Sequence, residues 1–201
     1  MNDETPSSIH AFWFGHSSDD AETAKQQAAL WWGKNAQVDA DMSRRFSSWL
    51  ERAAAGALNH WEESAASLLA LILLTDQFSR NIHRGKAESF ASDALARRWA
   101  QLGLQPEVRQ AQRPIERVFM LLPFEHSEAI TDQDLSVREF EALAADAAET
   151  RRETFAGFAD YARRHRDIIA RFGRFPHRNA ILGRPSSTEE SAFLLLPGSS
   201  F

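Results

Sequence analysis

The sequence contains no cysteine, so a disulfide bond, a thiol nucleophile and a cysteine-ligated zinc site are all excluded. Its nine glycines are spread so that no two lie closer than ten residues apart. That spacing excludes both a dinucleotide-binding fingerprint and a phosphate-binding P-loop. The longest strongly apolar segment, residues 65–74, has about half the length that a membrane-spanning helix needs. The N-terminus has no basic region typical of a signal peptide, so we expect a cytoplasmic protein with no membrane partner.

Charge is distributed unevenly along the chain. The net charge is −5, which makes nucleic acid an unlikely partner. Residues 123–160 contain ten acidic and three basic side chains, whereas residues 163–184 contain seven arginines and one aspartate. The clustered arginines require anions, and these come either from the acidic segment or from a ligand.

Apolar residues recur at three- and four-residue spacing throughout, and no strand-like alternation is present. The pattern predicts an all-α protein with eight or nine helices in antiparallel pairs. In residues 65–74 leucines surround the helix on all sides, which predicts the central core helix. No linker divides the chain, so we predict one domain over residues 1–201, with 197–201 as a flexible tail.

Several residue types indicate where helices begin. Asp39 is typical of an N-cap, and Pro114 is typical of the junction between two helical segments. Thr131 and Ser187 each precede an acidic residue by three positions, which predicts two capping boxes and hence two helix starts.

Three short polar segments each follow an apolar helix. They are residues 76–84 (DQFSRNIHR), 123–128 (PFEHSE) and 171–184 (RFGRFPHRNAILGR). The second is predicted to be a loop. In the first, helical spacing places Asp76 beside Arg80 and Gln77 beside Asn81. We expect these segments at the ends of the core, where their polar side chains can converge.

These strings, with FWFG at residues 12–15 and STEE at 187–190, resemble the bacterial domain of unknown function 924 family (DUF924) over nearly the whole chain. The resemblance implies an all-helical, tetratricopeptide-like fold with right-handed stacking of helix pairs. It implies no reaction, because the family has no established activity. Ser79 stands where many relatives have proline, which bears on the local backbone.

Two functions of different classes remain open. In the first, the polar segments form a pocket that binds a small anionic molecule, and His126 or His177 with Glu125 acts as acid or base. The second is a tetratricopeptide-like module that binds a protein or peptide without catalysis. In this case the three polar segments only form ion pairs within the protein. Arginine–phenylalanine interleaving offers RNA as a third, less favoured partner. No cofactor or metal site is predicted, since nothing fixes the spacing of possible ligands. The predicted ligand-binding residues are Asp76, Arg80, Asn81, Glu125, His126, Arg174, His177, Arg178, Asn179 and Arg184.

Overall fold

The computed structural model describes residues 4–200. Over this range there are eleven α-helical segments and no strand, which confirms the all-α prediction. Eight of them have eight residues or more. The segments are α1 (Pro6–Phe14), α2 (Asp20–Trp32), α3 (Ala36–Ala54), α4 (Ala65–Ile72), α5 (Ser79–Ile82), α6 (Asp93–Gly103), α7 (Pro106–Gln110), α8 (Pro114–Glu125), α9 (Ile130–Ala145), α10 (Glu149–Phe172) and α11 (Thr188–Phe193).

The helix predicted to form the centre of the core does so. Ser64 caps α4 by accepting a hydrogen bond from the backbone N–H of Ser67 (3.2 Å). Every side chain from Leu68 to Leu74 is at most 1% exposed, so the helix is buried on all sides. A π-helical turn, Leu73–Phe78, continues α4 into α5, which makes one helical rod from residue 65 to residue 82.

Two of the predicted helix starts are confirmed. Pro114 occupies the first position of α8, where its missing N–H costs no helical hydrogen bond. Ser187 caps α11 in a capping box with Glu190, whose carboxylate accepts from the Ser187 N–H (2.7 Å).

Two predicted helix starts are wrong. Helix α3 begins earlier, because the side chain of Asn35 accepts hydrogen bonds from the backbone N–H groups of Gln37 and Val38. Asp39 therefore lies inside the first turn of α3. Helix α9 begins at Ile130 without a side-chain cap, so Thr131 lies inside the helix and forms no capping box.

The second half of the chain packs around the central rod. Helix α9 packs along α8, and α10 returns along α9 after a three-residue connection, 146–148. Within residues 4–200, no helix is both long enough and apolar enough to cross a membrane. The tetratricopeptide-like stacking and the single domain stay predictions.

The predicted flexible tail is described up to Ser200, and Phe201 lies outside the described residues. Ser199 is buried, and its hydroxyl donates to the backbone carbonyl of Leu194 (3.2 Å). The flexibility of this segment stays a prediction.

Three irregular turns carry the polar segments. Asp76 lies in the π-helical turn, where the Ser79 N–H bonds to the Leu74 carbonyl five residues earlier. Glu125 ends α8, which continues through Pro123, so residues 123–125 of the second segment are helical, against the prediction, and residues 126–128 form the predicted loop. The third segment continues from α10 into a short 3-10 turn, Pro176–Arg178.

Candidate functional site

Side chains from these three turns meet in one group that we call the inner polar cluster. Six of the ten predicted ligand-binding residues belong to it, together with two residues that were not among them. Its members are Asp76, Arg80, Asp93, Glu125, His126, His165, His177 and Arg178.

The Asp76–His126 pair joins the first two segments. Oδ1 of the fully buried Asp76 lies 2.8 Å from Nδ1 of His126. Burial would raise the pKa of Asp76, but the positive charge of Arg80 and the contact with His126 outweigh it, so the pKa lies well below its ordinary value. An ionised carboxylate only accepts, so His126 must donate from Nδ1. The neutral ring then has Nε2 as its basic nitrogen.

Two arginines converge on one aspartate within the cluster. Arg80 donates to both carboxylate oxygens of Asp93 (2.8 and 3.3 Å), and Nη1 of Arg178 lies 3.4 Å from Asp93 Oδ2. Arg80 also lies 3.4 Å from Asp76 Oδ1, as the i, i+4 spacing predicted. No pattern in the sequence indicated Asp93, which stands at the first position of α6 and lies 13 residues after Arg80.

Glu125 and His165 form a second buried pair in the cluster. Glu125 Oε1 lies 3.1 Å from His165 Nδ1, which donates to the backbone carbonyl of Tyr161 (2.9 Å). Burial, reinforced by the negative charge of Asp76, raises the pKa of Glu125 to about 8. Burial lowers the pKa of His165 to about 3. His165 follows Ala162 and precedes Ile169 on the apolar face of α10, so the sequence did place it towards the core.

Arg178 is held between two aromatic rings. Its Cζ lies 4.6 Å from the ring centroids of both Phe90 and Phe175, and Nη2 donates to the backbone carbonyl of His126 (3.0 Å). Burial lowers the pKa of Arg178 to about 10 and that of the adjacent His177 to about 4. The side chain of Arg178 is 8% exposed, and its Nε has no hydrogen-bond partner among the described residues.

Three predicted residues lie outside the cluster, two of them in ion pairs and the third, Asn179, hydrogen-bonded to one of these. Arg184 binds both carboxylate oxygens of Glu128 (2.6 and 2.9 Å) and donates to the Asn179 side chain (3.0 Å). Arg174 binds Glu190 in the same bidentate way (2.6 and 2.8 Å). Carboxylates of the chain therefore neutralise these two arginines, and Glu128 belongs to the acidic segment.

Asn81 lies apart from both groups. Its amide donates to Asp39 (3.1 Å), which also binds Arg84 (2.7 and 3.0 Å). Gln77, predicted beside Asn81, instead donates to the neighbouring Asp76 carboxylate (2.6 Å). No hydrogen bond joins the described side chains of Gln77 and Asn81.

The cluster reaches solvent at one edge. The side chains of His126, Arg80 and Asp93 are 17%, 19% and 25% exposed. Within residues 4–200, no group of three or more histidine and acidic side chains has the arrangement to hold a metal ion.

The formal charges of the cluster cancel at neutral pH. Arg80 and Arg178 oppose Asp76 and Asp93, while Glu125 keeps its proton because its pKa is about 8. The pKa of His126 is lowered by burial and by the charge of Arg80, although the contact with Asp76 opposes this. The site thus holds a protonated carboxyl, Glu125, and an unprotonated imidazole, His126, which are groups of the kind that acid–base chemistry uses.

Comparisons with known proteins agree with the resemblance seen in the sequence. A family model described as a bacterial protein of unknown function (DUF924) matches residues 9–198. This chain belongs to the DUF924 family. Among solved structures, the protein of unknown function ATU0120 from Agrobacterium tumefaciens is similar to this DUF924 member, with 36% sequence identity and a TM-score of 0.80. The match covers 94% of this chain and 96% of that one. No curated protein matches the chain.

Proposed function

We propose that this protein binds a small anionic molecule at the solvent edge of the inner polar cluster and exchanges a proton with it through His126. The observation that carries the proposal is the 2.8 Å contact between Asp76 Oδ1 and His126 Nδ1. A buried carboxylate in this position fixes the orientation of the ring and leaves Nε2 as the acceptor. The ring is 17% exposed, so a bound molecule could approach it.

Arg80 and Arg178 supply the positive charge. Both bind Asp93, which supports the idea that the two guanidinium groups can hold a carboxylate between them. Asp93 is 25% exposed, and an incoming anion would displace it or share its partners. The buried Nε–H of Arg178 is a further donor that such a ligand, or a water molecule, would satisfy.

Binding should be coupled to a proton. Because the charges of the cluster cancel, an added anion leaves an excess negative charge unless His126 takes up a proton. Raising the pH also ionises Glu125, whose pKa is about 8, and adds a second negative charge. The affinity should therefore rise as the pH falls from 8 to 6.

Calorimetric titration with acetate, citrate and phosphate at constant ionic strength tests this proposal. The wild-type protein should bind at least one of these anions saturably, with higher affinity at pH 6 than at pH 8. Asp93→Asn removes the competing carboxylate and should raise the affinity. Glu189→Gln is the matched control, because it removes the same charge from an exposed ion pair with Arg171 outside the cluster.

Absence of saturable binding in both the wild type and Asp93→Asn would refute the proposal. Equal effects of Asp93→Asn and Glu189→Gln would do so as well, since both remove one negative charge and equal effects would indicate a general response to net charge. The peptide-binding module, the RNA-binding protein and the cytoplasmic location stay predictions.

A further inference from the structure

A second polar cleft lies between α8, the end of α9 and the start of α10. Arg117 and Arg151 stand on its walls with the exposed Asp146, above the apolar side chains of Leu143 and Phe155. None of these residues belongs to the inner polar cluster. Arg117 and His126 lie nine residues apart, which is about 13 Å along α8.

Arg117 is partly buried and has no anionic partner. Among residues 4–200, no carboxylate oxygen lies within 4 Å of its guanidinium group, and its side chain makes no hydrogen bond. Burial and the nearby Arg109 lower the pKa of Arg117, while Asp146 and Glu139 attract it only from a distance. A partly desolvated cation without a counter-ion is energetically unfavourable. An anion bound in the cleft would offset this desolvation free energy of Arg117.

The carboxylates nearest to Arg117 already have arginine partners. Arg113 and Arg151 share the carboxylate of Asp20, with closest distances of 2.8 and 3.1 Å, and Glu116 also attracts Arg113. Glu139 already binds Arg109 (2.8 Å). Asp146 is thus the remaining carboxylate on the cleft wall, and it attracts Arg117 without forming an ion pair with it.

We propose that this cleft binds the phosphate group of a small molecule, with Arg117 and Arg151 as its charged ligands. Guanidinium groups recognise tetrahedral oxyanions through paired, charge-assisted hydrogen bonds. The open space in the cleft is about 70 Å³. A single water needs roughly 10–15 Å³ on the same measure, so the space suits a group of several heavy atoms.

The test is calorimetric titration of the full chain with inorganic phosphate and, separately, with glycerol phosphate at constant ionic strength. Arg117→Gln should lower the affinity by about tenfold or more, as expected when a charge-assisted hydrogen bond is lost. Arg152→Gln is the matched control: it removes the same charge one residue beyond Arg151, from an exposed side chain outside the cleft. Tighter binding of glycerol phosphate would identify an ester rather than free phosphate as the ligand.

Asp146→Asn is an independent variant with the opposite expected effect on phosphate affinity. It removes the carboxylate that competes with phosphate and should tighten binding. The inference can therefore still be tested if Arg117→Gln fails to fold. Equal losses in Arg117→Gln and Arg152→Gln, or no saturable binding in the wild type, would overturn the inference. Phosphate binding that changes in Asp93→Asn but not in Arg117→Gln would also overturn it, while supporting the site at the inner polar cluster.

Discussion

Replacing Glu125 by glutamine should make the stability of the protein less dependent on pH above pH 6. Glu125 is 4% exposed, and its pKa is raised from 4.5 to about 8 in the folded protein. Between these two values the folded protein holds a proton that the unfolded chain releases. The free energy of unfolding therefore falls as the pH rises, by about 1.4 kcal/mol per pH unit, until the folded carboxyl also ionises near pH 8.

The expected change is large enough to measure. Integrating the two titrations from pH 6 to pH 8 gives a loss of about 2 kcal/mol in the wild type from this one group. Glutamine has nearly the shape of the protonated carboxyl and does not titrate, so the variant escapes this loss. The difference in unfolding free energy between variant and wild type should therefore shift by about 2 kcal/mol in favour of the variant.

Urea denaturation followed by circular dichroism at pH 6, 7 and 8 measures this difference. Glu153→Gln is the matched control, because Glu153 is exposed and its exchange should leave a constant difference from the wild type. If the difference for Glu125→Gln is also constant, Glu125 is already ionised in the folded protein at pH 6, and the reasoning about its burial beside Asp76 is wrong.

Buried histidines act in the opposite direction at lower pH. The pKa values of His165 and His177 are lowered from 6.5 to about 3 and about 4. Below pH 6.5 these histidines bind protons in the unfolded chain but stay unprotonated in the folded protein. The free energy of unfolding therefore falls as the pH falls towards 4. Together with Glu125, these groups favour a stability maximum near neutral or slightly acidic pH.

Three further substitutions test the fold and the cluster through the free energy of unfolding measured in urea. Leu71→Ala removes a side chain that is 0% exposed and should cost about 2–5 kcal/mol, whereas Leu195→Ala, at a side chain 86% exposed, should change little. Asp76→Asn should cost about 3–5 kcal/mol because Arg80 loses one of its two carboxylate partners and His126 Nδ1–H loses a charged acceptor, whereas Glu141→Gln, in an exposed ion pair, should cost far less. Ser187→Ala removes an N-cap and should cost about 1 kcal/mol.

The helical class and the central core helix could be predicted because they depend on local periodicity. The contact between Asp76 and Arg80 could be predicted for the same reason, since i, i+4 neighbours meet on any helix. The sequence also indicated that the polar segments converge, because each follows directly on a buried helix. It could not indicate Asp93, whose role depends on how α6 lies against the central rod.

The choice of ion-pair partners is likewise a property of the tertiary structure. The excess of arginine near residue 180 indicated that carboxylates were needed but not which ones. Arg174 binds Glu190 and Arg184 binds Glu128, two carboxylates 62 residues apart in the sequence. The helical state of Glu125 was also missed, because a proline two positions earlier favours a loop. Burial of the surrounding side chains outweighs the hydrogen bond that Pro123 cannot make.

Two unfavourable backbone features stand next to the two carboxylates that carry the acid–base argument. The π-helical turn contains Asp76, and Pro123 interrupts the hydrogen bonding of α8 just before Glu125. Regular α-helices would bury the same leucines and phenylalanines at lower cost, so packing alone does not call for either feature. Both features lie where Asp76 and Glu125 face one buried space, in which burial and then the negative charge of Asp76 keep Glu125 protonated. If the cluster carries out the proposed proton exchange, that chemistry explains the position of both irregularities.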